Sequence, residues 1–294
     1  MPPELNWFEG LTAGFGFGFG CVGGDGDGDA HGDEDGDDRL ASVVREREEA
    51  RVRHLGLVVA LVATSSVAQD AYEIQVYNSD VAAKGVFGLE LHANHVAKGA
   101  SAGVSHLTLE PHVGLASWCE VGGYFQTILS ADGHYDFAGV KARLKVRWPE
   151  RLGGVLGLSL NTELSFGGFP ATEGAATELR PIIDADFEHL YLSFNPIVEL
   201  ELSGQSGGRY SLEPAAKVGV KVIPALMLGA EYFGAFAPDL VGGPVKQSAQ
   251  RLFGVVDAEW KLGRTAFEVN AGVGYGFVGD EKIIVKLTLA ADFE

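Results

Sequence analysis

Lys141, Arg143, Lys145 and Arg147 stand at every second position of the stretch GVKARLKVRW, with Ala142, Leu144, Val146 and Trp148 set among and after them. Left unpaired, such a ladder repels itself. Set against carboxylates, it makes a charged wall that concentrates and orients ions or polar solutes. Carboxylates of suitable placement are Glu90, Glu110, Glu120 and Glu163, and His92 and His112 each stand two positions after one of them. Arg180, Asp184, Glu199, Glu201, Lys217, Asp257, Glu259 and Glu268 repeat the alternation of charge with apolar residues further along the chain. These types at this spacing suit a charge-lined passage better than covalent catalysis.

Other chemistries find little support. ADGHYD brings Asp132, His134 and Asp136 close together in sequence, as a hydrolase rim would require, but Asp-Gly is first of all a hairpin turn. The His–Ser pair of a lipid-cleaving wall is not evident. His92, His95, His106 and His112 fall on one hairpin, where two could meet across strands and hold a metal. Strand register is not legible in sequence, and hydrogen-bonded histidines facing Glu90 and Glu110 are the plainer expectation. No catalytic residue, metal site or cofactor is therefore assigned. Phosphate-binding loops and paired-cysteine motifs are absent, and 27 acids against 17 bases after Ala68 exclude a nucleic-acid partner.

The elements that must position these side chains are strands. At about 100° per residue the cation ladder would scatter around a helix; at 180° it falls on one face, with the apolar residues on the other. Glycine, 41 of 294 residues, argues against helix bundles. From Val86 onward the same alternation recurs about twelve times, through HLTLEPHV, LGLSLNTELSF and LYLSFNPIVELEL to IIVKLTLAADF. Each stretch is long enough for the 9–11 residues of a tilted membrane strand. Connections alternate between short (EH, GR) and long (AKGASAG, GGFPATEGAA, APDLVGGPVKQSAQ). Trp118, Trp148, Phe187, Trp260 and Phe293 mark the short-turn ends as an aromatic girdle. The expected fold is all-β, an antiparallel transmembrane barrel of about 12 strands spanning 85–294, apolar toward lipid and charged toward the lumen. Pro111, Pro181, Pro196 and Pro214 sit within predicted strands, where a closed barrel has no edge to hide a missing N–H and bulges must absorb them.

The first fifty residues differ from the rest: LTAGFGFGFG and GGDGDGDAHGDEDGDD have neither period and read as a solvated, disordered leader or a mis-assigned start. Residues 51–68 read as a Sec-type signal, with a basic start, an apolar run from Leu55 to Ala63, and Ser66-Val67-Ala68 placing cleavage between Ala68 and Gln69. Residues 69–84 follow as a periplasmic segment. Cys21 would be lost with the leader, leaving Cys119 without an intrachain disulfide partner.

DAYEIQVYNSD, LEPHVGL, WCEVGGYFQ, FAGVKARLK, ELRPII, NPIVEL, EPAAK, LGAEYFG and FEVNAGVG resemble uncharacterised outer-membrane β-barrel proteins of Gram-negative bacteria, similar in turn to channels associated with aromatic-degradation operons. The resemblance spans Asp70 to Phe293. It implies an outer-membrane barrel and carries over no catalytic residue. The chain departs from the usual aromatic ending only in that Glu294 follows Phe293. Passive passage of a small polar or zwitterionic solute is the function expected. A closed structural or adhesive barrel is the first alternative, and an outer-membrane hydrolase the second. Expected partners are outer-membrane lipid, the barrel-assembly machinery and the solute.

Overall fold

The computed structural model describes residues 70–167, 174–204, 207–238 and 245–294; the leader, the signal and the Ala68–Gln69 junction lie outside them. Among the described residues every regular element is a strand: β1 (Phe87–Gly99), β2 (Ser105–Ala116), β3 (Cys119–Leu129), β4 (Tyr135–Arg147), β5 (Leu156–Gly167), β6 (Ala176–Asp186), β7 (Leu190–Asn195), β8 (Val198–Glu201), β9 (Tyr210–Leu212), β10 (Ala215–Ile223), β11 (Leu226–Pro238), β12 (Val245–Leu262), β13 (Thr265–Val278) and β14 (Glu281–Phe293). Each pairs antiparallel with its neighbours, and β1 closes on β14 from Phe87↔Phe293 to Gly99↔Glu281. β7 with β8, and β9 with β10, are the two halves of single wall strands, so the wall is a closed barrel of twelve.

Alternation decides the faces. On β4, Lys141, Arg143, Lys145 and Arg147 turn inward while Leu144 and the following Trp148 are exposed on the outside. The outer surface carries Leu91, Leu109, Phe125, Leu160, Leu164, Leu192, Leu228, Leu252 and Val285 in a continuous apolar belt. Trp118, Trp148, Phe187, Trp260 and Phe293 are exposed at the short-turn end, where Phe293 stacks on Phe87 and Trp260 on Phe267. In water such a surface would be an aggregation hazard; in a bilayer it is the solvated surface. Leu109→Arg, outward near the middle of β2, is therefore expected to cost about 2–4 kcal/mol, read as a lowered urea midpoint of the lipid-reconstituted barrel. An unchanged midpoint would mean that this face does not meet lipid.

The prolines are accommodated in two ways. Pro111 pairs with Leu89 on β1, but toward β3 the ladder skips from Leu109↔Phe125 to His112↔Gly122. Pro181, Pro196 and Pro214 share one band of the wall. There β6 leaves β8 at Leu179↔Val198 and meets β7 only at Ile183↔Phe194, and the next wall strand breaks between Leu212 and Ala215. Isolated hydrogen bonds, Glu213 N–H to Ile197 O and Gly234 N–H to Pro214 O, span the band. Grouping three missing N–H donors in one gap lets a barrel without edges tolerate them.

One stretch differs from the sequence expectation. APDLVGGPVKQSAQ reads as loop, yet β11 continues to Pro238 and β12 begins at Val245, with Ala237↔Lys246 and Ala235↔Ala249 paired. Cross-strand pairing overrides local Gly/Pro composition here.

Candidate functional site

The inner face of the wall is divided. β1 to β8 present charges; β11, β12 and β14 add to their own charges, Glu231, Arg251, Asp257 and Lys286, an apolar patch of Phe233, Phe253, Val255 and Ile284. Phe253 lies against Gly274 of β13, where any Cβ would collide with its ring. An inward-facing aromatic patch is costly in a water-filled tube, and residues 70–84 explain it. This segment precedes β1 and runs inside the barrel. Its own alternation, Glu73-Ile74-Gln75-Val76-Tyr77, points Ile74 and Val76 into one buried cluster with Phe233, Phe253, Val255 and Ile284. Glu73 and Tyr77 turn to the charged side.

The segment is held along its length. Asn94 Nδ2 donates to Ala71 O (3.0 Å), Thr108 Oγ1 to Tyr72 O (3.1 Å) and Lys286 Nζ to Ile74 O (2.9 Å). Tyr77 N–H donates to Asn195 Oδ1 (2.8 Å), and Ser193 Oγ donates to Tyr77 O (2.7 Å). Ala82 N–H donates to Glu120 Oε2 (2.5 Å). Tyr77 is the centre of this arrangement. Its hydroxyl donates to Glu73 Oε1 (2.6 Å) and lies 3.1 Å from the Tyr124 hydroxyl, which donates to Glu163 Oε1 (3.1 Å). Arg180, Lys145 and Arg143 stand 4.5, 5.3 and 6.0 Å from its ring centroid.

The ladder on β4 is neutralised by the wall and the segment together. Lys141 Nζ meets Glu163 (3.0 Å) and, from the segment, Asp70 (2.6 Å) and Glu73 (3.7 Å). Arg143 bridges Glu110 (2.6 Å) and Glu120. Arg147 pairs with Asp80 of the segment (2.9 Å), which also takes Arg151. Arg180 joins Glu178 (2.7 Å) and Glu73 (3.1 Å); Asp184 takes Arg151 (2.9 Å). A second network on the far wall joins Lys217 to Asp257 (2.6 Å) and Glu231 (3.0 Å), and Lys286 to Glu231. Burying these ions would be prohibitive singly; each is matched by an opposite charge or a ring face.

The remaining sequence candidates lie toward the two ends. Glu199 stands opposite Glu178 and Ser211, and Glu201 opposite Ala176, at the long-loop end. Glu259 and Glu268 are cross-strand partners near the short turns, both exposed. Glu90 is directly opposite Glu110, with His92 Nε2 3.6 and 3.3 Å from their carboxylates, and His112 Nε2 is 3.2 Å from Asp292 Oδ1. The rim group is a turn: His134 N–H donates to Asp132 Oδ1 at 3.2 Å on an exposed hairpin.

Asp70, Glu73, Tyr77 and Asp80 are the functional residues that strand reading did not single out, because the segment forms no strand of its own. The signal was present in DAYEIQVYNSD, whose polar and apolar residues alternate although it lies outside the predicted wall.

No protein-family model and no curated protein matches the chain. Among solved structures it is similar to the COG4313 outer membrane channel from Pseudomonas putida F1, at 8% identity, over 75% of this chain and 100% of that one, with a TM-score of 0.52. It also resembles the NanC porin (8% identity, 70% of this chain and 99% of that one, TM-score 0.48) and the KdgM porin solved with disordered oligogalacturonate (10%, 70% and 98%, TM-score 0.42). The first of these likenesses establishes the class: a twelve-stranded transmembrane β-barrel of the outer-membrane type, its lumen occupied in this chain by residues 70–84.

Proposed function

We propose that this protein is a passive outer-membrane channel for small polar or zwitterionic solutes, with residues 70–84 standing in its path. The observation that carries the reading is the division of surfaces. The barrel is apolar on its outside and lined with charges of both signs inside, the division of surfaces of a barrel that passes polar solutes. Cations on β4 sit beside carboxylates of β2, β3 and β5, so one wall presents both charges side by side, which suits solutes bearing both. Carboxylates stand toward both ends, Glu199 and Glu201 at the long-loop end and Glu259 and Glu268 at the other, which supports a mild cation preference limited by screening over about 8–10 Å. Export through a Sec-type signal, insertion by the barrel-assembly machinery into outer-membrane lipid, and a link to aromatic-degradation operons complete the proposal; the motif resemblance supports the last of these.

A second reading is a closed structural barrel, favoured by the burial of Arg143, Lys145, Glu110 and Glu163 under the segment. Planar-bilayer recording under a salt gradient separates the two. A channel gives conductance with a reversal potential displaced toward cations, reduced by Glu199→Gln with Glu201→Gln. No conductance from the intact chain, nor from one lacking residues 70–84, would leave the structural barrel; strong anion selectivity would contradict the assignment of the mouths.

A further inference from the structure

At the short-turn half of β1 and β2, four side chains converge whose chemistry the ion-pair networks do not exhaust. One ligand atom each from Glu90, Glu110 and His112 lies within 4.8 Å of the other two. His92 lies beside the two carboxylates: its Nε2 is 3.6 Å from Glu90 Oε2 and 3.3 Å from Glu110 Oε2. Ligand atoms about 2.0–2.2 Å from a tetrahedral Zn²⁺ are roughly 3.4 Å from one another. The His92 nitrogen is already near that edge length from each of the two carboxylate oxygens.

His112 carries the second observation. Asp292 Oδ1 lies 3.2 Å from His112 Nε2, the place for a hydrogen bond donated by the imidazole N–H. The lone pair is thereby left on Nδ1, which is buried and has no hydrogen-bond partner, in a side chain 6% exposed. A carboxylate holding one imidazole nitrogen, with the other left free to bind, is the usual outer-shell arrangement of a metal-binding histidine. Glu90 Oε2 is likewise buried without a hydrogen-bond partner. Gly88, directly opposite both His112 and Asp292, leaves room for the pair to close over it; a Cβ there would meet both side chains.

Charge points the same way. Glu90, Glu110, Glu120 and Asp292 face Arg143 and Lys145, four acids against two bases, which leaves −2 with neutral histidines. Exposed Glu268, one strand beyond Ala290 from Glu90, adds to the deficit. One divalent ion restores the balance. Arg143 occupies Glu110 Oε1 and leaves Oε2 for the metal.

We propose that Glu90, Glu110 and His112, with His92 as a fourth ligand and Asp292 orienting His112, bind one divalent transition-metal ion of the Zn²⁺ type inside the barrel wall. The donor set of imidazole and carboxylate favours Zn²⁺ over Ca²⁺ or Mg²⁺, which take oxygen-only shells. This site is independent of whether the lumen conducts.

The test is calorimetric titration of the chelator-stripped, detergent-folded full chain with Zn²⁺. Heat-modifiable migration confirms that every variant is folded. The expected result is one Zn²⁺ per chain, binding weakened at least a hundredfold in His112→Ala and in Glu90→Gln, and tenfold to a hundredfold in Asp292→Asn, the usual range for an outer-shell partner. Glu90→Gln changes no volume and keeps the test open if His112→Ala does not fold. Absence of stoichiometric Zn²⁺ binding overturns the proposal. So does binding that survives both Glu90→Gln and Asp292→Asn unchanged, which would place the ion on exposed histidines such as His95, His134 or His189.

Discussion

Tyr77→Ala is expected to open the lumen. The substitution removes the hydroxyl shared with Glu73 and Tyr124 and the ring that faces Arg180, Lys145 and Arg143. Two net hydrogen bonds are worth about 1 kcal/mol each, and a desolvated cation–π contact about 0.5–2 kcal/mol. A loss of about 3 kcal/mol from the seated state raises the ratio of unseated to seated segment roughly a hundredfold. Single-channel recording reads this as a rise in open probability in the folded variant. Tyr77→Phe, which keeps the ring and its cation–π contact of about 1 kcal/mol, is expected to give a rise smaller by about fivefold. The reading of the segment as an obstruction fails if Tyr77→Ala folds, loses the Tyr77 contacts and conducts as the unaltered protein does.

Arg143→Met is expected to give the largest loss of stability of any single change in the ladder. The guanidinium is the counter-charge to Glu110 and Glu120, both buried, and Lys145 next to it is not close enough to either to form an ion pair. Removing one partner of a buried pair strands the other charge, at about 3–5 kcal/mol. Two carboxylates are stranded here, so the effect belongs at the upper end. The measurement is the urea midpoint of the reconstituted barrel, followed by the heat-modifiable band. Combining Arg143→Met with Glu110→Gln and Glu120→Gln should recover most of the loss, because what destabilises is the unpaired charge rather than the missing side chain. A fall of under about 1 kcal/mol in the single variant would show that water reaches these groups, as at ordinary surface pairs.

Much of the wall was legible in the sequence because its cause is local. A strand with lipid on one side and a lumen on the other must alternate, and period-2 alternation is fixed residue by residue. That is why the alternation from Lys141 to Arg147 and the count of twelve could be read from the chain. The limits at 237–250 had another origin: Gly and Pro mark local turn preference, and a long antiparallel neighbour overrides it. The prolines looked like conflicts for the same reason. Whether Pro181, Pro196 and Pro214 fall in one gap depends on the stagger between strands, which no single stretch encodes.

By itself, then, the amino-acid sequence determined the faces: which side chains meet lipid, which turn inward, and that inward charges of both signs would need partners. Tertiary structure alone decided who the partners are. Register set Arg143 against Glu120 and Glu110, placed Glu90 opposite Glu110, and brought His112 beside Asp292 from the far end of the chain. It also turned residues 70–84, expected as a periplasmic segment, into the filling of the barrel, with Ile74 and Val76 covering Phe233 and Phe253. The physical reason is that facing follows from backbone geometry within one strand, whereas pairing in a low-dielectric interior follows from distances between strands, and those are fixed only when the barrel closes.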